Sequence, residues 1–331
     1  MNSSFPTVKP FHVARGPGQA IDAGPLRGAV LAIGNFDGVH RGHRAVIGAA
    51  LARARALGRK AAALTFEPHP RRFFRPQEPL FRLTSPRDKL RLLATTGLDG
   101  ALVMTFDAAL ASTPADDFIA RILVGRLEIA GAVIGFDFHF GKARKGSPAF
   151  LAEQGTKLGF AVDVVPPLED DEGRPVSSGA VRAALADGKV VEAAELLGAP
   201  WFVSGEVVHG EKRGRGLDFP TANMKLDPDC GLKHGIYAVR ARIDGEWRDA
   251  VASFGRRPTF DDGAPLLETF LFDFAGDLYG RTFDIAFIGW LRQEQKFDSV
   301  DALKRQMAAD AAQARDILRR APGVFPALGC I

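Results

Sequence analysis

GAVLAIGNFDGVHRGHRAV, residues 28 to 46, runs from an apolar stretch across Gly34, Gly38 and Gly42 into an alanine-rich pattern. The first part, GAVLAIG, reads as a buried strand, because a short continuous apolar run bounded by turn residues suits a strand covered on both faces. A helix is expected to follow from about Gly42 to Leu57, with Val46, Ala50, Ala54 and Leu57 on one face and Arg44, Arg55 and Arg59 in water. Strand followed by helix is the unit from which parallel sheets are wound, since parallel neighbours need a crossover.

The unit recurs downstream. Strand AAALTFE (61–67) ends at the double-proline turn EPHP, and the helix SPRDKLRLLATTG starts with Ser85 as N-cap and Pro86 at its first position. Strand ALVMTF (101–106), helix PADDFIARILVGRL, strand AGAVIGF (130–136), helix PAFLAEQGTKLG and strand FAVDVVP (160–166) continue the series. Five such units predict an α/β doubly wound parallel sheet, in which ligands sit beyond the carboxyl ends of the strands. The opening stretch lies at such an end.

Two short helical segments, SSGAVRAALADG and VVEAAELLG, lead to Ala199 and Pro200, where the pattern changes. Beyond Trp201, WFVSGEVVHG, GIYAVRARIDG, WRDAVASFG, LLETFLFDF and TFDIAFIGW are extended segments at short spacing, which fits a mainly β unit, a small antiparallel barrel or sandwich. A closing helix starts after Ser299. The expected division is a domain over 1–186, a linker over 187–200 and a second domain over 201–325.

The chain has 331 residues, 46% hydrophobic and 25% charged, which suits folded structure nearly throughout. No run of about 18 apolar residues occurs, and the start lacks the apolar core of a secretory signal, so a cytoplasmic protein without membrane partners is expected. Cys230 and Cys330 are too few for a disulfide framework and are expected to be free thiols. The net charge of +4 suits an anionic ligand, but the basic residues are scattered and not interleaved with aromatics, which argues against nucleic acid. Weak self-association remains open.

His40 and His43 invite a metal reading. The helical zinc motif, however, spaces its histidines by four with a glutamate between, whereas here the spacing is three and Arg41 and Gly42 intervene. A phosphate cradle fits better: glycines let the backbone approach a ligand, the helix start offers unpaired N–H groups, and imidazoles with Arg41 or Arg44 add donors. A glycine turn bearing surface histidines is the plain alternative.

GNFDGVHRGH resembles the phosphate-binding motif of the nucleotidylyltransferase superfamily in its bacterial FAD synthetase form. GFDFHFGKARKG (135–146) and PVSSGAVRAAL (175–185) are similar to the flavin-side and ATP-side motifs of that module. GEVVHGEKRGRGLDFPTANM (205–224), GIYAVR, SFGRRPTF, LLETFLFDFAGDLYG and LRQEQKFDSVDALKRQM resemble the riboflavin kinase module. Together the two modules resemble the bacterial bifunctional riboflavin kinase/FMN adenylyltransferase family.

The resemblance implies two reactions: riboflavin plus ATP gives FMN, and FMN plus ATP gives FAD and pyrophosphate. In the adenylyl half, the resemblance implies charge stabilisation by His40 and His43, ATP binding by Gly34, Asn35, Gly38, Gly42, Ser178 and Arg182, and flavin binding by Asp137. In the kinase half it implies Glu268 as general base for the neutral ribityl hydroxyl, and Thr221 and Asn223 as ligands of ATP-bound magnesium. Thr221 and Arg215 of the basic loop are expected on the phosphates. Without the resemblance, Glu268 reads as a surface residue and PTAN as a turn.

The sequence departs from the family pattern at four places: Gly179 stands for a threonine of the ATP-side motif, Asp218 for a glycine, Ser253 for an asparagine and Phe270 for a histidine two after the glutamate. Gly179 motivates an alternative, a kinase with an impaired adenylyl module. A flavin-binding regulator without turnover is the other alternative.

Overall fold

The structure is a computed structural model, and it describes residues 10–18, 20–208, 221–256, 265–274 and 276–321. Arg215, Asp218 and Cys330 lie outside the described residues. The chain divides into two compact units: one holds 86–176 with the described residues before 80, the other holds 80–85 with the described residues from 177 to 321.

The first unit is built on a six-stranded parallel sheet, ordered β1-β4-β3-β2-β5-β6. Its strands are β1 (His12–Pro17), β2 (Val30–Ile33), β3 (Ala61–Glu67), β4 (Gly100–Thr105), β5 (Gly131–Gly135) and β6 (Ala161–Val165). The strand order reverses between β2 and β5, which places the end of β2 at the switch point of a doubly wound sheet. The core strands are buried on both faces, Val30, Ala32, Leu64 and Leu102 being at most 0% exposed, as continuous apolar runs require.

Edge strand β1 adds a sixth strand to the five expected. Its sequence, HVARGP, carries two basic groups, a glycine and a proline, and most of its residues are exposed, so it lacks the apolar run of its neighbours. A Cβ on Gly100 would collide with the His12 carbonyl oxygen, so glycine at that position admits the edge.

Helix α1 (Arg41–Leu57) starts on His40, whose Nδ1 accepts the His43 backbone N–H, and ends on Gly58 in the left-handed region, φ 60°. Two expectations for its faces are corrected. Leu57 is 44% exposed and Ile47 takes its place in the core; Arg44 is half-buried, and burial lowers its pKa from the usual arginine value.

The double-proline turn holds a cis Glu67–Pro68 bond, and α2 (Pro70–Phe74) starts at once on a His69 cap. Helix α3 (Pro86–Ala94) begins at Pro86 as expected. The helix expected over 114–127 splits: after α4 (Ala108–Ser112), α5 (Ala115–Asp117) passes into a wider π-helix, Phe118–Arg126. Phe118, Ile119, Ile122 and Leu123, recurring at four-residue intervals, form its buried face. Helix α6 (Pro148–Leu158) closes the unit with Ser147 as cap.

The second unit opens with α7 (Ser178–Ala186), capped by Ser177, and α8 (Val190–Leu197). Its antiparallel sheet runs β7-β12-β9-β10-β11-β8, with β7 (Phe202–Glu206), β8 (Ala222–Lys225), β9 (Gly235–Ile243), β10 (Glu246–Arg256), β11 (Pro265–Leu271) and β12 (Thr282–Arg292). The edge strands meet through an antiparallel bridge, Val208 N–H to Asn223 O at 2.8 Å, so the sheet is a nearly closed barrel. β8 lies where PTAN reads as a turn.

Alternation fills the barrel: Tyr237, Val239, Phe254, Leu267 and Phe287 are 0% exposed and face inward. Asp244 and Gly245, both at positive φ, make the tight hairpin between β9 and β10. Helix α9 (Val300–Arg320), capped by Ser299, lays Ala314 and Leu318 on Ala238 and Phe272 of the outer face. Residues 80–85 join this unit: Trp201 Nε1 donates to Leu83 O at 2.8 Å, and Leu80 N–H donates to Asp229 at 3.1 Å.

Candidate active sites

In the first unit, β2 ends at Ile33 and the chain turns through Gly34–His40 into α1. The turn is conformationally demanding. Phe36 and Val39 adopt φ of 51° and 45°, and a β-branched residue in the left-handed region is a costly exception that a surrounding structure must hold. Gly38, at φ 83°, lets the turn complete.

The imidazoles lie at the start of the helix. His40 is 7% exposed, and its Nδ1 accepts the His43 N–H at 3.3 Å, so the cap requires an unprotonated Nδ1. The His40 and His43 rings stack with centroids 3.7 Å apart, and Phe36 meets the His43 ring edge-on at 5.2 Å. A Cβ on Gly42 would lie 3.1 Å from the His40 ring and 3.2 Å from Val176 O, so the glycine gives the ring its space. One turn in, the Arg44 Nε is buried without a hydrogen-bond partner among the described residues. A desolvated guanidinium beside a helix start suits an anion.

Asp137 follows the end of β5, the strand beside β2 in the sheet. It is exposed, its Oδ1 would be 3.2 Å from a Cβ on Gly135, and its carbonyl lies 2.9 Å from His139 Nδ1. Gly34, Asn35, Gly38, His40, Gly42 and His43 thus share one loop and helix start, and Asp137 leaves the same end of the neighbouring strand. Ser178 and Arg182 stand one turn apart on α7 of the other unit, where Arg182 Nε donates to Phe81 O at 2.6 Å. Gly179 has room: a Cβ there would meet only Ser177 Oγ, at 3.6 Å.

In the second unit, the register pairs Asn223 on β8 with Glu268 on β11, and Glu268 with Ser253 on β10. Directly opposed residues share a face, so amide, carboxylate and hydroxyl stand in one row. Leu267 and Thr269, 0% and 2% exposed, face inward, which puts the row on the outside of the barrel. Asn223 Nδ2 donates weakly to Thr221 O at 3.4 Å, drawing the two residues together.

Glu294 is a residue that the sequence did not single out. Ser253 Oγ donates to its Oε1 at 3.4 Å, and the carboxylate fills the space over Gly255. The segment carrying it is pinned to α9 by Arg292, which grips Asp310 at 2.8 and 2.6 Å, with Gln306 adding a bond to Asp310 at 2.9 Å. Phe270 packs against the α9 cluster, and Phe272 lies edge-on at 5.9 Å.

Comparison with known proteins shows one family for each half of the chain. The FAD synthetase family model matches residues 23–180 and the riboflavin kinase family model matches 197–318. A bifunctional riboflavin kinase/FMN adenylyltransferase of Pseudomonas fluorescens is 43% identical over 87% of this chain and 93% of its own length. The chain belongs to the bifunctional riboflavin kinase/FMN adenylyltransferase family. Members from Escherichia coli K12, 41% identical over 88% of this chain and 93% of theirs, and Bacillus subtilis, 36% identical over 86% and 91%, extend the match. A crystal structure described as a macrolide-efflux protein from Streptococcus pneumoniae superposes with a TM-score of 0.82 at 33% identity, covering 92% of this chain and 99% of that one. Among the described residues of this family member, no helix is long and apolar enough to cross a membrane.

Proposed function

We propose that the chain makes FAD in two steps, with the first unit's helix-start loop as the adenylyl centre and the Asn223–Glu268 row as the kinase centre. The observation that carries the reading is the stacked His40–His43 pair at the switch point of the sheet, on the same chain as that row.

In the kinase step, the Glu268 carboxylate takes the proton of the terminal ribityl hydroxyl as that oxygen attacks the γ-phosphorus of ATP. The bond to ADP breaks and FMN forms. Thr221 and Asn223 would hold magnesium through oxygen. Among the described residues no group of three or more His, Cys, Asp or Glu is gathered for a metal, and a hydroxyl, an amide and one carboxylate suit an ion that keeps phosphate and water ligands. When bound, that ion supplies charge neutralisation on the phosphates. Arg215 is assigned to the phosphates by its place in the basic loop.

In the adenylyl step the nucleophile is the FMN phosphate, already ionised near neutral pH because its second pKa is about 6, so no base is required. A phosphate oxygen attacks the α-phosphorus and pyrophosphate leaves. His40, with Nδ1 engaged in the cap, offers its Nε2–H; His43, Arg44 and the helix start add positive potential where charge accumulates. Gly34, Asn35, Gly38 and Gly42 shape the loop around ATP, Ser178 and Arg182 are assigned to ATP by the motif they stand in, and Asp137 is assigned to the flavin. The partners are small molecules, ATP, riboflavin and FMN, in the cytoplasm.

Incubation with riboflavin, ATP and magnesium, followed by separation of the flavins, tests the reading. FMN followed by FAD is expected. FMN alone would leave a kinase with an impaired adenylyl module, the reading that Gly179 favours, and flavin binding without product would leave a regulator.

A further inference from the structure

Beneath the phosphate loop lies a charge that neither reaction uses. Lys89 on α3 is 1% exposed, with its side chain in the interior of the first unit. Its ammonium lies 2.7 Å from Glu67 Oε1, 3.1 Å from Thr65 Oγ1, 3.3 Å from Asn35 O and 3.5 Å from Phe66 O. Three ammonium hydrogens meet four oxygens, so the charge is paired and satisfied. A lysine is almost never this buried unless paired, and an apolar side chain of similar volume would serve packing at least as well.

Two of those contacts converge on one atom. Thr65 Oγ1 donates to Asn35 O at 3.1 Å and accepts from Lys89, which also donates to Asn35 O directly. Both lone pairs of that carbonyl are thereby used. Asn35 precedes Phe36, the first residue of the turn with a left-handed backbone. In a trans peptide the carbonyl and the following N–H point in opposite directions. Fixing the Asn35 oxygen toward the interior therefore sets the plane of the Asn35–Phe36 peptide and the entry to the strained turn that ends on His40.

We infer that Lys89, held by Glu67 and assisted by Thr65, is a positioning residue for the adenylyl step: its buried ammonium anchors the Asn35 carbonyl and so fixes the loop that presents His40 and His43. The inference rests on the adenylyl reading of that loop. It requires no contact between Lys89 and any substrate.

A structural role and a positioning role separate in a double variant. Lys89→Met alone removes the ammonium that faces the half-buried Glu67 carboxylate and is expected to lower the Tm. Lys89→Met with Glu67→Gln removes both charges, and its Tm is expected to return close to the wild-type value. The kcat for FAD from supplied FMN and ATP should nevertheless stay depressed by about tenfold or more, with a smaller change in KM, because a loop displaced by a fraction of an ångström loses alignment before it loses binding. FMN formation by the same preparation should be unchanged. Wild-type kcat in the double variant would overturn the inference. Should that variant fail to fold, Thr65→Val keeps the ion pair and removes one donor to Asn35 O; a several-fold fall in kcat at unchanged Tm supports the inference, and an unchanged kcat refutes it. His43→Ala is measured alongside: full FAD formation there refutes the adenylyl reading itself, whereas loss there with an unaffected Lys89 series refutes only the role of Lys89.

Discussion

His40 caps the helix on which His43 stands: its Nδ1 accepts the His43 backbone N–H at 3.3 Å while the two rings stack 3.7 Å apart. One residue therefore holds the helix start and carries the donor proposed for the reaction, and substitutions can separate the two.

His40→Ala should lose both, with about 1 kcal/mol of stability gone with the cap. His40→Asn keeps a cap acceptor and should retain the wild-type Tm while still losing FAD formation. His43→Ala leaves the cap intact, since its backbone N–H remains, and should reduce FAD formation by about 10²-fold with FMN formation unchanged. Differential scanning calorimetry beside separate assays of the two products checks all three; parallel loss of FMN synthesis would mean that the two centres are not independent.

Glu268→Gln keeps the shape of the Asn223–Glu268–Ser253 row and removes the base. FMN formation should fall by about 10²- to 10⁴-fold, and FAD formation from supplied FMN should persist. Stopped assays with either flavin as substrate give the comparison, and retained kinase activity would move the base elsewhere, Glu294 being the nearest candidate by its bond to Ser253.

Gly179→Thr should be accommodated, because a Cβ there meets only Ser177 Oγ at 3.6 Å, an ordinary contact. Should a hydroxyl at that position help to hold ATP, KM for ATP in the adenylyl step falls by about 2- to 10-fold, the worth of one hydrogen bond. An unchanged KM would show that Gly179 costs this chain nothing.

The Cys230 thiol is 8% exposed, and burial pushes its pKa up to about 11 from 9.0. It should stay protonated at pH 8 and resist alkylation in the folded chain, as mass spectrometry of a Cys330→Ser background would report. The stability it confers is fully present below the unfolded value of 9.0 and is lost as pH rises toward about 11, because the unfolded chain releases its proton first. Relative to Cys230→Ala, chemical denaturation should show a loss of order 1–3 kcal/mol across that window.

Local patterns carried much of the architecture. Apolar runs alternating with helical spacing announced the parallel sheet, and Pro86 and Ser299 marked helix starts because capping chemistry is local. Strands β1 and β8 were hidden for the same reason: HVARGP and ANMK become strands by pairing with β4 and β11, and nothing within six residues reports a distant partner. The family was legible through the resemblance of its motifs. The Lys89–Glu67 pair was not, since a lysine on an amphipathic helix and a glutamate before a proline turn both read as solvated; the burial of Lys89 depends on how α3 packs on the sheet.

The parallel edge formed by β1 has a bearing on biosynthesis. β1 pairs with β4, and β2, β3 and the helix between them are translated before β4 exists. Such a distant contact is late in folding, since loop closure precedes any reward from pairing. Until then β4's outer flank, once made, is an unsealed strand edge, the kind that recruits foreign chains. Gly100, whose missing side chain lets the His12 carbonyl close in, is thus expected to safeguard nascent-chain solubility.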